Sequence, residues 1–162
     1  MDTIKFIEKS IKVYGETISL IDLYNIVTDH TNYITVYTDG SSQYDGVKRS
    51  SGIGVFFGDN HTDNISRIVE IFNNNECEII ACIEALKVCK DKHRLVHVYT
   101  DSRLVVDGMN GVCSKAKYEY LFNELESLTD EFLIVRWHHV KGHGDNYGNI
   151  KADELSRKCF DQ

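Results

Sequence analysis

The sequence predicts an α/β domain built on a mixed sheet. In the 162-residue chain, strand-like stretches of alternating polarity come first within residues 32–162, and later ones alternate with helical patterns. The tetrapeptide V-Y-T-D occurs twice, over residues 36–39 and 98–101, each time where a strand pattern ends. Because ligands bind at the carboxyl ends of parallel strands, we expect Asp39 and Asp101 to meet at one edge of the sheet.

Residues 1–31 precede this domain, which spans residues 32–162. Apolar residues recur at helical spacing on both sides of Gly15, and this pattern predicts an N-terminal helical extension of two short helices. The charges of the extension are mixed. Its role stays open between docking on the sheet, self-association and contact with another partner.

Three strands open the domain. The first covers residues 34–39 and ends at Asp39, before the turn-forming Gly40. Residues 52–58 and 65–72 have strand patterns too, and the polar stretch between them predicts a hairpin. The three strands therefore form an antiparallel meander.

A helix and a fourth strand follow the meander. The run NNNECEIIACIEALKVCK predicts a helix with Asn74 or Asn75 as its N-cap. A strand over residues 95–99 then leads to Asp101. This strand alternates with helices and is expected to pair in parallel with the first one.

The remainder of the chain supplies more helices and the last strand. Helical patterns cover residues 104–109 and 118–128, and a fifth strand covers residues 132–140. The glycine-rich stretch KGHGDNYGN leads to a final helix, IKADELSRKCF, for which Asn149 is the expected N-cap.

Composition narrows the classes of protein that fit. The chain has no apolar run of membrane-spanning length and no secretory leader, so we expect a soluble intracellular protein, cytoplasmic or nuclear, without membrane contact. Its five cysteines include no C-x-x-C pair, which argues against a disulfide framework or a zinc knuckle. The net charge of −7 argues against tight nonspecific binding to nucleic acid.

Carboxylates at the expected sheet edge indicate a metal site. Two adjacent carboxylates repel each other unless a proton or a cation lies between them. Glu78 and Asp153 lie in the first turns of helices and can point to the same edge as Asp39 and Asp101. Each acid alone also fits a turn or a helix dipole, but four hard oxygen ligands together favour Mg²⁺ or Mn²⁺ over zinc.

Four stretches resemble the signature blocks of type 1 ribonucleases H, in the usual order. They are YTDGSS, NNNECEIIACIEAL, YTDS and VKGHGDNYGNIKADELSRK, and the resemblance covers residues 33–159. It implies the ribonuclease H-like fold, a five-stranded mixed sheet of three antiparallel strands and then two parallel strands, flanked by helices. It also implies an endoribonuclease that hydrolyses the RNA strand of RNA–DNA hybrids.

The resemblance assigns roles to particular residues. The catalytic carboxylates that hold two ions of Mg²⁺ or Mn²⁺ match Asp39, Glu78, Asp101 and Asp153, and His143 matches a catalytic histidine in a mobile loop. Contacts to the hybrid across its wide minor groove match five further residues. They are Gly40, Ser41, Ser42, Asn74 and Asn75.

The chain departs from the family pattern in three places. QYDGVKRSS replaces the common turn after D-G-S, Glu76 follows the asparagines, and the basic helix that some members use to hold the hybrid is missing after Asp101. Weak affinity for the hybrid is the expected consequence. Two alternatives stay open, a DNA-structure-specific nuclease of the same fold and a noncatalytic nucleic-acid-binding module.

Overall fold

The computed structural model describes residues 24–25, 33–44, 46, 49–70, 73–92, 94–142 and 144–161. The predicted N-terminal helical extension lies outside the described residues, apart from residues 24 and 25. His143 lies outside them as well.

A five-stranded mixed sheet forms the centre of the domain. Its strands are β1 (Tyr33–Tyr44), β2 (Arg49–Phe56), β3 (Ile65–Val69), β4 (Leu95–Thr100) and β5 (Ile134–His139). The order across the sheet is β3-β2-β1-β4-β5. The first three strands pair antiparallel, and β4 pairs in parallel with both β1 and β5. The predicted fold class is confirmed.

Among the described residues from 33 onwards, four α-helices and two short 3₁₀ helices surround this sheet. The α-helices are α1 (Asn74–Val88), α2 (Arg103–Met109), α3 (Glu119–Thr129) and α4 (Tyr147–Lys158). The 3₁₀ helices are Ala116–Tyr118 and Cys159–Asp161.

The helices cover both faces of the sheet, as the alternation along β1 shows. Val36 packs in the main core with residues of α1, α2 and α3, and the Thr38 hydroxyl lies 3.2 Å from the Cys82 Sγ of α1. Tyr37 and Asp39 point to the other face, where they meet α4. Because side chains alternate along a strand, β1 contacts α1 on one face and α4 on the other.

Several strand boundaries differ from the prediction: β2 covers Arg49–Phe56 instead of residues 52–58, and β5 covers Ile134–His139 instead of residues 132–140. β1 continues past Asp39 to Tyr44, because residues 41–44 pair antiparallel with residues 49–52 of β2. The predicted turn at Gly40 is therefore wrong. β3 ends at Val69, short of the predicted residue 72.

Both predicted helix caps are also wrong. Asn73 is the N-cap of α1, and its side chain accepts a hydrogen bond from the Asn75 backbone N–H at 3.0 Å. Asn146 is the N-cap of α4 and accepts from the backbone N–H of Asn149 at 3.1 Å. Asn149 therefore lies inside the first turn rather than ahead of it.

The five cysteines behave as the composition suggests. Four of them are buried, Cys113 is exposed, and all five are free thiols. The four buried cysteines fill space in the core, as small apolar side chains do.

Candidate active site

Three carboxylates converge where the two parallel strands end. Asp39 lies in β1, Asp101 follows β4 directly, and the register Thr38 with Thr100 places the two aspartates side by side. Glu78 reaches them from the first turns of α1. One ligand oxygen from each of the three carboxylates lies within 4.8 Å of the other two. The predicted meeting of the two V-Y-T-D ends therefore occurs, with Glu78 as the third member.

Gly40 allows α1 to approach β1 closely enough for this arrangement. A Cβ atom added to Gly40 would lie 2.5 Å from the backbone nitrogen of Glu78 and 2.6 Å from the Cys77 carbonyl carbon. Because these are backbone atoms of a packed helix, they could not move aside cheaply. The glycine after Asp39 is thus required for close packing against α1. It is not required for a turn, because β1 is extended at this position.

Burial makes the ionised form of these carboxylates costly. The pKa of Asp39 is raised from 3.8 to about 7, and burial is the largest cause. Repulsion from Asp101 and Asp153 contributes to the rise, while the hydrogen bond from Ser156 opposes it. Burial also raises the pKa of Glu78 well above its usual range, with added repulsion from Asp39 and Asp101. A cation held between these groups would relieve both penalties.

Glu78 carries a second indication of a bound cation. Its Oε2 atom is buried and has no hydrogen-bond partner among the residues that the structure describes. A buried oxygen without a partner is unfavourable, and a metal ion would satisfy it. The Asp39, Glu78 and Asp101 cluster therefore fits a hard divalent cation with oxygen ligands.

Asp153 lies beside this cluster, on α4. Its carboxylate lines the same cleft but forms an ion pair with Arg157, one helical turn later, at 2.6 Å. Three of the four predicted ligands are therefore in mutual reach, and the fourth lines the same cleft.

The cleft around the carboxylates is polar and has a volume of about 400 Å³. Four of the five predicted substrate contacts line it, together with Gln43 and Arg157, which the sequence reasoning missed. The four are Gly40, Ser41, Ser42 and Asn74. The sequence did contain a signal for Arg157. It lies four residues after Asp153, and this spacing places two side chains on the same face of a helix.

Asn75, the fifth predicted contact, points elsewhere. Its amide donates to the Tyr118 hydroxyl oxygen at 3.2 Å, and the Asn73 amide donates to the same oxygen at 3.1 Å. Tyr118 is buried, so it ties the start of α1 to the segment that precedes α3.

The loop that carries His143 passes close to Asp101. A Cβ atom added to Gly142 would lie 2.7 Å from Asp101 Oδ2. His143 itself is outside the described residues, so its predicted catalytic role stays a prediction.

Within the described part of the chain, no helix is both long and apolar enough to cross a membrane.

Comparisons with known proteins agree with the geometry. The model of the RNase H family matches residues 31–160. Ribonuclease H of Francisella philomiragia subsp. philomiragia is 36% identical over 143 residues, which cover 80% of this chain and 91% of that protein. Human Ribonuclease H1 is 33% identical over 144 residues, or 78% of this chain and 50% of the human one.

Solved structures show the same fold. RNase H1 from Halobacterium salinarum NRC-1 aligns with a TM-score of 0.64 at 22% identity, over 80% of this chain and 98% of that one. LC11-RNase H1, solved in complex with an RNA/DNA hybrid, aligns with a TM-score of 0.62 at 23% identity, over 79% and 96%. With the family match over most of its length and a carboxylate cluster at the carboxyl ends of β1 and β4, this chain belongs to the ribonuclease H family, as a type 1 enzyme.

Proposed function

We propose that the chain is an endoribonuclease that hydrolyses the RNA strand of RNA–DNA hybrids with the help of two divalent cations. The observation that carries this proposal is the convergence of Asp39, Glu78 and Asp101 in an open polar cleft. Relatives named ribonuclease H and a structural neighbour solved with an RNA/DNA hybrid support the choice of substrate.

Different residues of the cleft would bind the two ions. Asp39, Glu78 and Asp101 would hold one cation among them, and Asp153, which lines the same cleft, would complete the ligands of a second. Mg²⁺ or Mn²⁺ fits this oxygen-only set. When bound, such ions supply Lewis acidity and lower the pKa of bound water.

Other residues of this chain would bind and orient the hybrid. Gly40, Ser41 and Ser42 lie along β1 beside Asp39, where backbone and hydroxyl groups can contact 2′-hydroxyls across a wide minor groove. Asn74 adds an amide from the start of α1, and Asn75 lies beside it. The 2′-hydroxyl is what distinguishes the RNA strand from DNA. His143 would assist protonation of the leaving group or product release.

The test is cleavage of a labelled RNA–DNA hybrid with Mg²⁺ or Mn²⁺, beside RNA–RNA, DNA–DNA and a four-way DNA junction. We expect the parent chain to cut only the hybrid, and only with metal present. Asp101→Asn should lose this activity, because the variant replaces a negatively charged metal ligand with a neutral amide. Asp107→Asn, on α2 and outside the residues that line the cleft, is the matched control and should keep activity. Cutting of the junction instead would indicate the DNA-structure-specific alternative. Hybrid binding without cutting, by the folded and metal-loaded chain, would indicate the noncatalytic one.

A further inference from the structure

Ser156, on the inner face of α4, contacts Asp39 of the carboxylate cluster, although the two residues lie 117 positions apart in sequence. It is fully buried, and its hydroxyl donates to Asp39 Oδ2 at 2.6 Å. The same oxygen lies 2.9 Å from the backbone carbonyl of Asp153. A hydroxyl carries one hydrogen, and donation to the charged group is the stronger bond.

The backbone of Ser156 is held against two strands. Its carbonyl accepts from the Ser41 hydroxyl of β1 at 2.8 Å. On β2, a Cβ atom added to Gly54 would lie 2.6 Å from the Ser156 backbone nitrogen, and one added to Gly52 would clash with the Ser156 carbonyl. The two glycines let α4 lie directly on the sheet at this point, and the hydroxyl therefore has little freedom to leave Asp39.

We propose that Ser156 is a positioning residue of the metal site, which holds the Asp39 carboxylate in the orientation that binds the cation. The hydrogen bond occupies one carboxylate oxygen and leaves the other for the ion. Partners of this kind orient metal ligands, and their loss typically lowers metal affinity about 10- to 100-fold. This role rests on the proposed function, because it requires that Asp39 hold a cation.

Asp153 and Ser156 act from the same helix face. They are three residues apart on α4, so one turn of the helix supplies both a carboxylate of the cleft wall and the hydroxyl on Asp39. The position of α4 on the sheet thereby sets the geometry of two of the predicted ligands.

The test is calorimetric titration of the full chain with Mn²⁺, in the parent and in Ser156→Ala. We expect the variant to bind Mn²⁺ at least about 10-fold more weakly. Ser66→Ala is the matched control, since the Ser66 hydroxyl donates to the neighbouring Leu155 carbonyl of α4 at 2.7 Å and does not touch Asp39. That control should change Mn²⁺ affinity less than about 2-fold, and both variants should have similar urea midpoints.

A second variant keeps the test informative if the alanine variant folds poorly. Ser156→Cys retains the shape and a weaker donor, and we expect it to bind Mn²⁺ with an affinity between those of the parent and Ser156→Ala. In cleavage assays, Ser156→Ala should raise the Mn²⁺ concentration for half-maximal rate by the same factor as its loss of affinity.

Parent-like Mn²⁺ affinity in Ser156→Ala would overturn the inference, as would an equal loss in Ser66→Ala, which would indicate a general effect of helix packing. Neither result would touch the proposed function, since the parent would still bind metal and cut the hybrid. A parent chain that binds no Mn²⁺ would overturn both.

Discussion

At the scale of single residues, the site places acidic groups where ionisation is unfavourable. Asp39 and Glu78 are both buried, and Asp101 lies against them. The folded chain therefore holds protons on Asp39 and Glu78 more tightly than the unfolded chain does. A bound cation replaces those protons, which links stability, pH and metal at one site.

The first prediction concerns stability in the presence of a chelator. The pKa of Asp39 rises from 3.8 to about 7 on folding, so the folded state binds more protons between these values and stability falls as pH rises through that window. His97 and His138 act oppositely, because burial lowers their pKa. The comparison is therefore parent against Asp39→Asn, by urea midpoints at pH 5 and pH 8.

We expect the parent to lose more stability than Asp39→Asn between these two pH values, and Mg²⁺ or Mn²⁺ at pH 8 to restore it in the parent only. Equal pH dependence in the two proteins would show that Asp39 ionises as freely in the folded chain as in the unfolded one.

The second prediction concerns Arg157, which pairs with Asp153 at the cleft. Arg157→Ala removes a positive charge next to the carboxylates, so hybrid binding should weaken by a few fold while Mn²⁺ affinity is unchanged or higher. The Arg157 side chain is 52% exposed, and the loss of stability should stay below about 1 kcal/mol. Two measurements check this prediction: KM for the hybrid should rise, and Mn²⁺ affinity should not fall. Arg157→Lys, which keeps the charge, is the control.

At the scale of elements, the site depends on how closely two helices approach the sheet. Gly40 admits α1 on one face, and Gly52 and Gly54 admit α4 on the other. Strand glycines usually weaken a sheet, and here they mark positions where another backbone comes close.

The third prediction follows from that close approach. In Gly54→Ala the new Cβ would meet the backbone of Ala152 and Ser156, so α4 must shift outward. We expect a loss of about 1–3 kcal/mol in unfolding free energy and a weaker Mn²⁺ site, because Asp153 and Ser156 move with the helix. The control is Ser50→Ala on the same strand, which adds no atoms. It should leave the unfolding free energy and the Mn²⁺ affinity unchanged. A Gly54→Ala variant with parent-like stability would show that α4 has room that the structure does not indicate.

The fourth prediction concerns the link between α1 and the segment before α3. Tyr118→Phe removes the hydroxyl that accepts from the Asn73 and Asn75 amides, which should cost about 1 kcal/mol and raise KM for the hybrid by loosening the start of α1. The matched control is Tyr120→Phe, which removes the exposed hydroxyl bond to Glu76 and leaves the asparagines in place. Equal effects of the two variants on KM would argue against a role for the asparagine contacts.

At the scale of the whole molecule, charge is arranged against strong hybrid binding. The net charge is −7, and Arg157 is the cationic side chain among the described residues that line the cleft. A metal-loaded cluster attracts the phosphate at the cut, but the rest of the hybrid gains little from phosphate contacts.

The fifth prediction is a shallow salt dependence. Each neutralised phosphate contributes roughly 0.7–0.9 to the slope of log affinity against log salt, so we expect a slope smaller than about 3 in magnitude for the hybrid. KM measured across a series of KCl concentrations, at saturating Mg²⁺, gives this slope. A markedly steeper slope would place phosphate contacts on residues outside the described cleft.

Local patterns in the sequence were enough to predict the architecture and the central acids. Strand and helix periodicity, with the repeated V-Y-T-D, predicted the mixed sheet and the meeting of Asp39 and Asp101. These features are local, because the end of a strand and the start of a helix are each marked by a short pattern of neighbouring residues. The cap of α1 was misassigned because three successive asparagines all suit an N-cap, and tertiary contacts choose among them.

Tertiary structure alone decided which side chains complete the site. Ser156 meets Asp39 only because the glycines of β2 set how deeply α4 lies on the sheet. The extension of β1 past Asp39 likewise comes from its pairing with β2. Such contacts join residues far apart in the chain and depend on packing to within an ångström, which periodicity and spacing do not encode.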